Sequence, residues 1–100
     1  MVSVETVTQA VFTAIDEVNE DLPDGQSLEK SRESVLLGAN AQIDSVGLVG
    51  LIAAIEAQIE DDLDVSIILA DERAMSQTRS PFRNVGALID YATTLVEEQQ

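Results

Sequence analysis

Ser45 is the side chain of this sequence whose position best suits chemistry. It follows Asp44, a good N-cap residue, and precedes an apolar run of helical period, so Ser45 is expected to open a helix. A helix N-terminus presents unpaired N–H groups and the positive end of the helix dipole, which would stabilise a phosphodiester attached to Ser45. Taken alone, Asp44-Ser45 is equally typical of a plain helix cap. The dipeptide therefore leaves two interpretations, a modified serine and a structural cap.

The composition excludes most of the chemistry that a protein performs with its own side chains. The 100-residue chain contains no Cys and no His. Disulfides, thiolate metal sites, the usual zinc sites and serine–histidine catalysis are therefore excluded. Because no base is at hand to activate Ser45, we expect another enzyme to modify it, and we do not expect this chain to be an enzyme.

A second pattern, the acidic run at residues 61–66, suggests a calcium loop. Such a loop starting at Asp62 would need Gly at its sixth position and Glu at its twelfth, where the sequence has Ile67 and Arg73. The run is therefore predicted to be a solvated helix end, and no metal site is expected. The sequence also contains no glycine-rich phosphate loop.

The charge balance bears on the partners of this chain. Nineteen acidic residues stand against five basic ones, for a net charge of −14. Such a surface repels nucleic acid and anionic lipid and attracts basic protein surfaces. No apolar segment is long enough to span a membrane, and residues 1–9 lack a basic residue before an apolar run. These features predict a cytoplasmic, monomeric protein that binds neither nucleic acid nor membranes.

Apolar residues at three- and four-residue steps predict three main helices. The first covers residues 4–22 with Ser3 as its N-cap, and the second covers residues 45–61. The last begins with Ser80 as its N-cap and Pro81 at the first helical position. The faces predicted to be buried are Val4, Val7, Val11, Ala14, Ile15 and Val18 in the first helix, Val46, Val49, Ile52, Ile55 and Ile59 in the second, and Val85, Leu88, Ile89, Ala92 and Leu95 in the last.

The connections between these helices are less regular. Residues 23–43 start with a Pro-Asp-Gly turn signal and end apolar, so Leu36 and Leu37 are expected to dock on the core. Residues 65–69 have strand propensity but no partner strand, which predicts an extended segment packed on the core. A short helix is predicted near residues 71–75. The expected fold is all-α, a single domain over residues 1–100 with three main helices and one short helix.

The stretch at residues 43–56 resembles the attachment motif and second helix of acyl carrier proteins. In that family an Asp-Ser-Leu motif opens an amphipathic helix, and a Leu/Ile-Glu pair follows further along it. Here Val46 replaces the usual Leu, and Ile55-Glu56 matches the pair. The resemblance extends over nearly the whole chain, and residues 85–91 look like the family's last helix.

The resemblance implies a fold, a cofactor and partners. The fold would be the acyl-carrier bundle, and a phosphopantetheinyl transferase would link 4′-phosphopantetheine from coenzyme A to Ser45. The thiol of this arm would hold an acyl or aminoacyl group as a thioester. Asp44 would help to engage the transferase and its magnesium. Enzymes that load and process the cargo would dock through basic or apolar surfaces.

The resemblance also assigns roles to the helix that follows Ser45. A cleft that shelters the acyl chain would be lined by Val46, Val49, Ile52 and Ile59. The surface that faces partner enzymes would comprise Gly47, Leu48, Glu56 and Glu60.

Two departures from the family pattern narrow the expected function. Members that serve fatty acid synthesis usually have acidic residues where this sequence has Gly47 and Gly50, and Leu48 makes the helix front more apolar still. We therefore expect a dedicated partner enzyme in a specialised lipid, polyketide or secondary-metabolite pathway. A stand-alone aminoacyl or peptidyl carrier remains open, although Gln42-Ile43 does not match the Gly-Gly pair more common there. An unmodified acidic helical adaptor that only binds proteins also remains open.

Overall fold

A computed structural model describes residues 4–22, 27–38, 41–70 and 80–99. Within these ranges the chain forms three α-helices and no strand: α1 (Val4–Asp21), α2 (Ser45–Leu63) and α3 (Val85–Glu98). The all-α prediction is confirmed for this part of the chain. The predicted cap at Ser3, the turn at residues 23–25 and the short helix at residues 71–75 lie outside it. No helix in the described ranges has the length and apolarity needed to cross a bilayer.

Helix α1 is the central element, because it packs against both α2 and α3. Its buried face is fully enclosed and repeats at three- and four-residue steps. The prediction is confirmed for most of this face, but it is wrong at Val4, the first residue of the helix, which is 44% exposed. Two of the five residues are alanines, whose small side chains allow neighbouring helices to approach closely. The buried residues are Val7, Ala10, Val11, Ala14 and Ile15.

The face of α2 that was predicted to be buried is confirmed at Ile55 and Ile59 but not in the first half of the helix. The buried side chains are Leu48, Leu51, Ile55 and Ile59. The predicted stripe is wrong at Val46 and Val49, which are 79% and 67% exposed. The first half of α2 is apolar nearly all round, so periodicity alone does not select a face. Packing against α1 selects it.

Helix α3 begins later than predicted. Asn84 has extended backbone geometry, and its side chain accepts the N–H of Ala87 at 2.7 Å, which makes Asn84 the N-cap. Ser80 instead holds the preceding turn, where its Oγ accepts the N–H of Phe82 at 3.1 Å. Asn84 also forms an antiparallel bridge with Val35, which keeps residue 84 out of the helix. The predicted buried face is confirmed for Val85, Leu88, Ile89, Ala92 and Leu95.

The segment at residues 27–38 closes over the ends of α1 and α3. Leu36 is buried, as expected, whereas Leu37 is 43% exposed, so the expectation for Leu37 is wrong. Consecutive side chains on extended backbone point to opposite sides, and only one of this pair can face the core. The N–H of Leu36 donates to the carbonyl of Arg83 at 3.0 Å, which ties the segment to the start of α3.

Asn19 of α1 holds this segment through both polar atoms of its side-chain amide. Its Nδ2 donates to the carbonyl of Leu28 at 2.9 Å, and its Oδ1 accepts the N–H of Leu28 at 2.8 Å. The Leu28 side chain is buried beside this pair of bonds. One side chain therefore satisfies both polar groups of a buried backbone position.

The extended segment after α2 is confirmed as packed on the core. Ile67 and Leu69 are buried, while Ile68 between them is 67% exposed, an alternation typical of extended backbone. In place of a partner strand, the N–H of Leu69 donates to Glu56 Oε2 at 2.8 Å. A side chain of α2 thus anchors the segment.

Replacing Leu48 by Ala should lower the free energy of unfolding by about 2 kcal/mol or more, because a buried side chain is truncated in the core. Val49→Ala, one residue along and exposed, should change it by less than about 0.5 kcal/mol. Urea denaturation of both variants measures the difference. Equal effects would mean that α2 is rotated differently from the structure described.

Asn19→Ala should destabilise the protein by about 1–3 kcal/mol, because the N–H and C=O of Leu28 lose their partners. Glu20→Ala is the matched control, an exposed change on the adjacent residue, with an expected effect within about 0.5 kcal/mol. Thermal and urea unfolding of the two variants would show this. An unchanged stability for Asn19→Ala would show that the segment does not depend on this amide.

Candidate functional site

The N-terminus of α2 has the arrangement that the sequence predicted. Asp44 is extended, with φ of −85° and ψ of −179°, and its Oδ1 accepts the N–H of Gly47 at 2.8 Å. Its carbonyl accepts the N–H of Leu48 at 2.9 Å. Asp44 is therefore the N-cap and Ser45 the first residue of the helix, as expected from the sequence. The cap satisfies one of the N–H groups that a helix start leaves without partners.

An open groove lies between the end of α1 and the start of α2. Its volume is about 430 Å³. Asp44 and Val46, the residues on either side of Ser45 in the chain, both line this groove. The lining residues are Glu17, Val18, Asp21 and Leu22 on the side of α1, and Asp44, Val46, Gly47, Gly50 and Ala54 on the side of α2.

The two glycines of the groove differ in their surroundings. A Cβ on Gly47 would lie 3.2 Å from the Cβ of Ile43 and 3.3 Å from Oδ1 of Asp44. A Cβ on Gly50 would meet no atom within 4 Å. Gly47 is therefore needed for close packing of the helix start, whereas Gly50 leaves the groove open. These are the positions where the family pattern has acidic side chains.

The rim of the groove is acidic. Glu17, Asp21 and Asp44 are exposed there. In the described part of the chain the ion pairs are Lys30 with Asp16 and Arg32 with Asp90. Neither pair involves a carboxylate of the groove.

The outward face of α2 is apolar over its first three turns and acidic at its end. Val46, Val49 and Ala53 are exposed in succession, and Glu60 is exposed near the C-terminus. These three side chains form an apolar strip along the exposed side of the helix. The face is continuous with one edge of the groove, because Val46 belongs to both.

The predicted partner surface is only partly present. Gly47 and Leu48 are buried, so they are not available to a partner, and their assignment is wrong. The rotation that packs Leu51 and Ile55 on α1 turns these two inward as well. Glu56 is half-buried and holds the N–H of Leu69, whereas Glu60 is exposed.

The four residues predicted to line an acyl cleft are not brought together. Val46 lines the groove, and Val49 lies on the outward face. Ile52 is half-buried against the core and Ile59 is completely buried within it. At 3.6 residues per turn, Ile52 and Ile59 lie about 120–140° round the helix from Val46, so the set does not share one narrow face.

Sequence reasoning missed the contribution of α1 to this site. Glu17, Val18, Asp21 and Leu22 reach the groove only because the end of α1 packs beside the start of α2. Gly47 and Gly50 were the available signal, since two helical glycines close to Ser45 indicate missing side-chain volume there. The two glycines indicate where side-chain volume is missing on α2, but they do not show that α1 lies opposite.

Gly50→Ala should raise the free energy of unfolding by about 0.5–1 kcal/mol, because Ala is the better helix former and its methyl group enters open space. Gly47→Ala should give no such gain, since its methyl group would press on Ile43 and the cap carboxylate. Urea denaturation of the two variants compares the same substitution three residues apart. An equal gain at both positions would contradict the close packing of Gly47.

The chain was compared with family models, with curated proteins and with solved structures, and none of them matches it. The resemblance to acyl carrier proteins therefore rests on the residues around Ser45 and on the general pattern of the chain.

Proposed function

We propose that this chain is a carrier protein that holds 4′-phosphopantetheine on Ser45 and presents thioester-bound intermediates to partner enzymes. The observation that carries the proposal is the position of Ser45: it opens α2 directly after a carboxylate cap and between two residues that line an open groove. A structural cap would need only Asp44, whereas the carrier proposal also uses the groove that Asp44 and Val46 line.

The residues at this helix start fit a phosphodiester-linked arm. The positive end of the dipole of α2 favours the phosphodiester charge. A Cβ at Gly50 would meet no atom within 4 Å, so this position adds no side-chain bulk to the groove. When bound, phosphopantetheine supplies a thiol that carries the cargo as a thioester, a function for which the chain has no Cys of its own.

Asp44 has two roles in this proposal. Its Oδ1 caps the helix through Gly47, while the residue as a whole is exposed. Carboxylate oxygens are ligands that magnesium accepts, so the same side chain can engage a transferase with its metal. In this proposal, Asp44 caps the helix and contacts the transferase directly beside Ser45, the residue that is modified.

The surface around Ser45 supports a partner with a mixed docking face. The exposed valines of α2 offer apolar contact, while Glu60 and the overall charge of −14 attract a basic rim. Apolar contact at the centre of an interface supplies affinity, and peripheral charge mainly sets encounter rate and specificity. This distribution supports a dedicated partner enzyme in a specialised lipid, polyketide or secondary-metabolite pathway.

Incubation with a promiscuous phosphopantetheinyl transferase, magnesium and coenzyme A tests the proposal. Intact-mass measurement should show the addition of one phosphopantetheine to the unaltered chain and to Ser66→Ala, which changes an exposed serine beyond α2. Ser45→Ala should remain unmodified, because it lacks the attachment oxygen. Circular dichroism of Ser45→Ala would confirm that the fold is retained.

An unmodified chain with several transferases would overturn the carrier proposal. The acidic helical adaptor would then be the better function, since exposed Val46 and Val49 also suit a protein interface that needs no cofactor.

A further inference from the structure

We propose that the extended segment at residues 65–68, directly after α2, is a docking strand whose free edge pairs with an extended, basic segment of a partner protein. This mode of binding is strand addition, in which main-chain hydrogen bonds join a partner peptide to an exposed strand. The inference goes beyond the proposed function and does not depend on an arm at Ser45.

The backbone of this segment is unpaired. In the described ranges, the N–H and C=O groups of residues 65–68 make no hydrogen bond to the protein. A backbone group that was both unpaired and buried would cost free energy comparable to a lost hydrogen bond, so these groups are expected to face water. Unpaired N–H and C=O groups along extended backbone form a template for pairing with another chain.

The hydrogen bond of Leu69 indicates which edge of the segment is free. Its N–H donates to Glu56 Oε2, so the edge to which this N–H belongs faces α2. Successive residues of extended backbone direct their N–H groups to opposite edges of a strand. The N–H groups of Ser66 and Ile68 therefore point away from Glu56, and both residues are exposed. Their edge is the one that a partner strand can reach.

The fold holds this segment in place before any partner binds. Ile67 and Leu69 are buried in the core. At the start of the segment, the N–H of Asp64 donates to the carbonyl of Glu60 at 3.0 Å, and Asp64 ends α2 in the left-handed conformation. A segment that is already fixed loses little conformational entropy on binding, which favours affinity.

The sequence of the segment lacks the usual protection of an exposed strand. Natural edge strands are blunted by Pro or by charged side chains, above all Lys. Residues 65–69 contain neither, and three of the five are the β-branched residues that suit a strand: Val65, Ile67 and Ile68. Ile68 is 67% exposed, so the outward side also offers an apolar side chain to a partner.

Charge decides which kind of strand fits this edge. Asp61, Asp62 and Asp64 are exposed just before the segment, and residues 45–72 include no Lys or Arg. A second copy of this chain would bring its own aspartates, and like charges opposite each other destabilise paired strands. A strand that carries Lys or Arg gains attraction instead. Backbone pairing thus forms the docking site, and charge favours a basic partner over a second copy.

Titration of the isotope-labelled chain with the peptide acetyl-KTVKITVK-amide, followed by nuclear magnetic resonance, tests this inference. The peptide is basic and rich in β-branched residues. Near saturation, amide exchange with water should slow at Ser66 and Ile68 and change little at Val65 and Ile67. One edge of the segment supplies the hydrogen bonds, so the protection should appear at every second residue.

Two altered peptides separate backbone pairing from general attraction to an acidic chain. N-methylation of the two central residues keeps the charge but removes a donor from each edge of the peptide. It should weaken binding about tenfold, as expected for the loss of one or two hydrogen bonds. Replacement of every Lys of the peptide by Glu should abolish measurable binding, because the peptide then repels the acidic end of α2.

Two chain variants test the position of the docking strand. Ile68→Ser should weaken peptide binding about two- to fivefold, the usual contribution of a cross-strand side-chain pair. Val49→Ser is the matched control, because Val49 of α2 has the same exposed fraction of 67%, and it should leave peptide binding unchanged. Ile68→Ser should still accept phosphopantetheine, since residue 68 lies outside the groove lining beside Ser45.

The outcomes distinguish this inference from the proposed function. Equal binding of the N-methylated and the unmethylated peptide, or protection without alternation, would overturn the inference and assign the attraction to net charge. Concentration-dependent protection of Ser66 and Ile68 in the chain alone would assign the edge to a second copy and overturn it as well. Neither result bears on the carrier proposal, because phosphopantetheine transfer to Ser45 is measured separately by intact mass.

Discussion

Burial of one face of α1 between α2 and α3 is the interaction on which the rest of this structure depends. Its five fully buried side chains are aliphatic, and each such side chain larger than Ala contributes about 1.5–3 kcal/mol when removed from water. The same helix holds the segment at residues 27–38 through Asn19. Its last turns then form one wall of the groove beside Ser45. Core, connection and candidate site therefore share a single supporting element.

The rotation of α2 against α1 has opposite effects on neighbouring residues. It places Leu48 in the core and leaves Val46 and Val49 in solvent. Exposed valines on a helix that also has a continuous buried face are not required by the fold, so they are available for binding. The proposed function uses this division: the inward face holds α2 in place, while the outward face and the helix start remain accessible to a transferase and a processing enzyme.

Several polar side chains serve the architecture around the site instead of the site itself. Glu56, which matches the family's acidic position in α2, accepts the N–H of Leu69 and anchors the extended segment. Asn84 caps α3, and Gly86 allows the carbonyl of Arg32 to approach, where a Cβ would lie only 3.0 Å from that oxygen. Glu17, Asp21 and Asp44 are the carboxylate-bearing residues that line the groove.

The sequence alone determined the features that depend on local pattern. The absence of Cys and His, the all-α class, the helix start at Ser45 and the Asp44 cap follow from composition, 3.6-residue periodicity and the hydrogen bonding of a single side chain. Tertiary structure decided which face of α2 is buried, because a helix that is apolar all round has no preferred side until a partner packs on it. It also moved the start of α3 from Ser80 to Asn84, where the bridge to Val35 holds the backbone extended. The groove exists only in three dimensions, since its two walls come from residues that are distant in the chain and meet through the packing of α1 on α2.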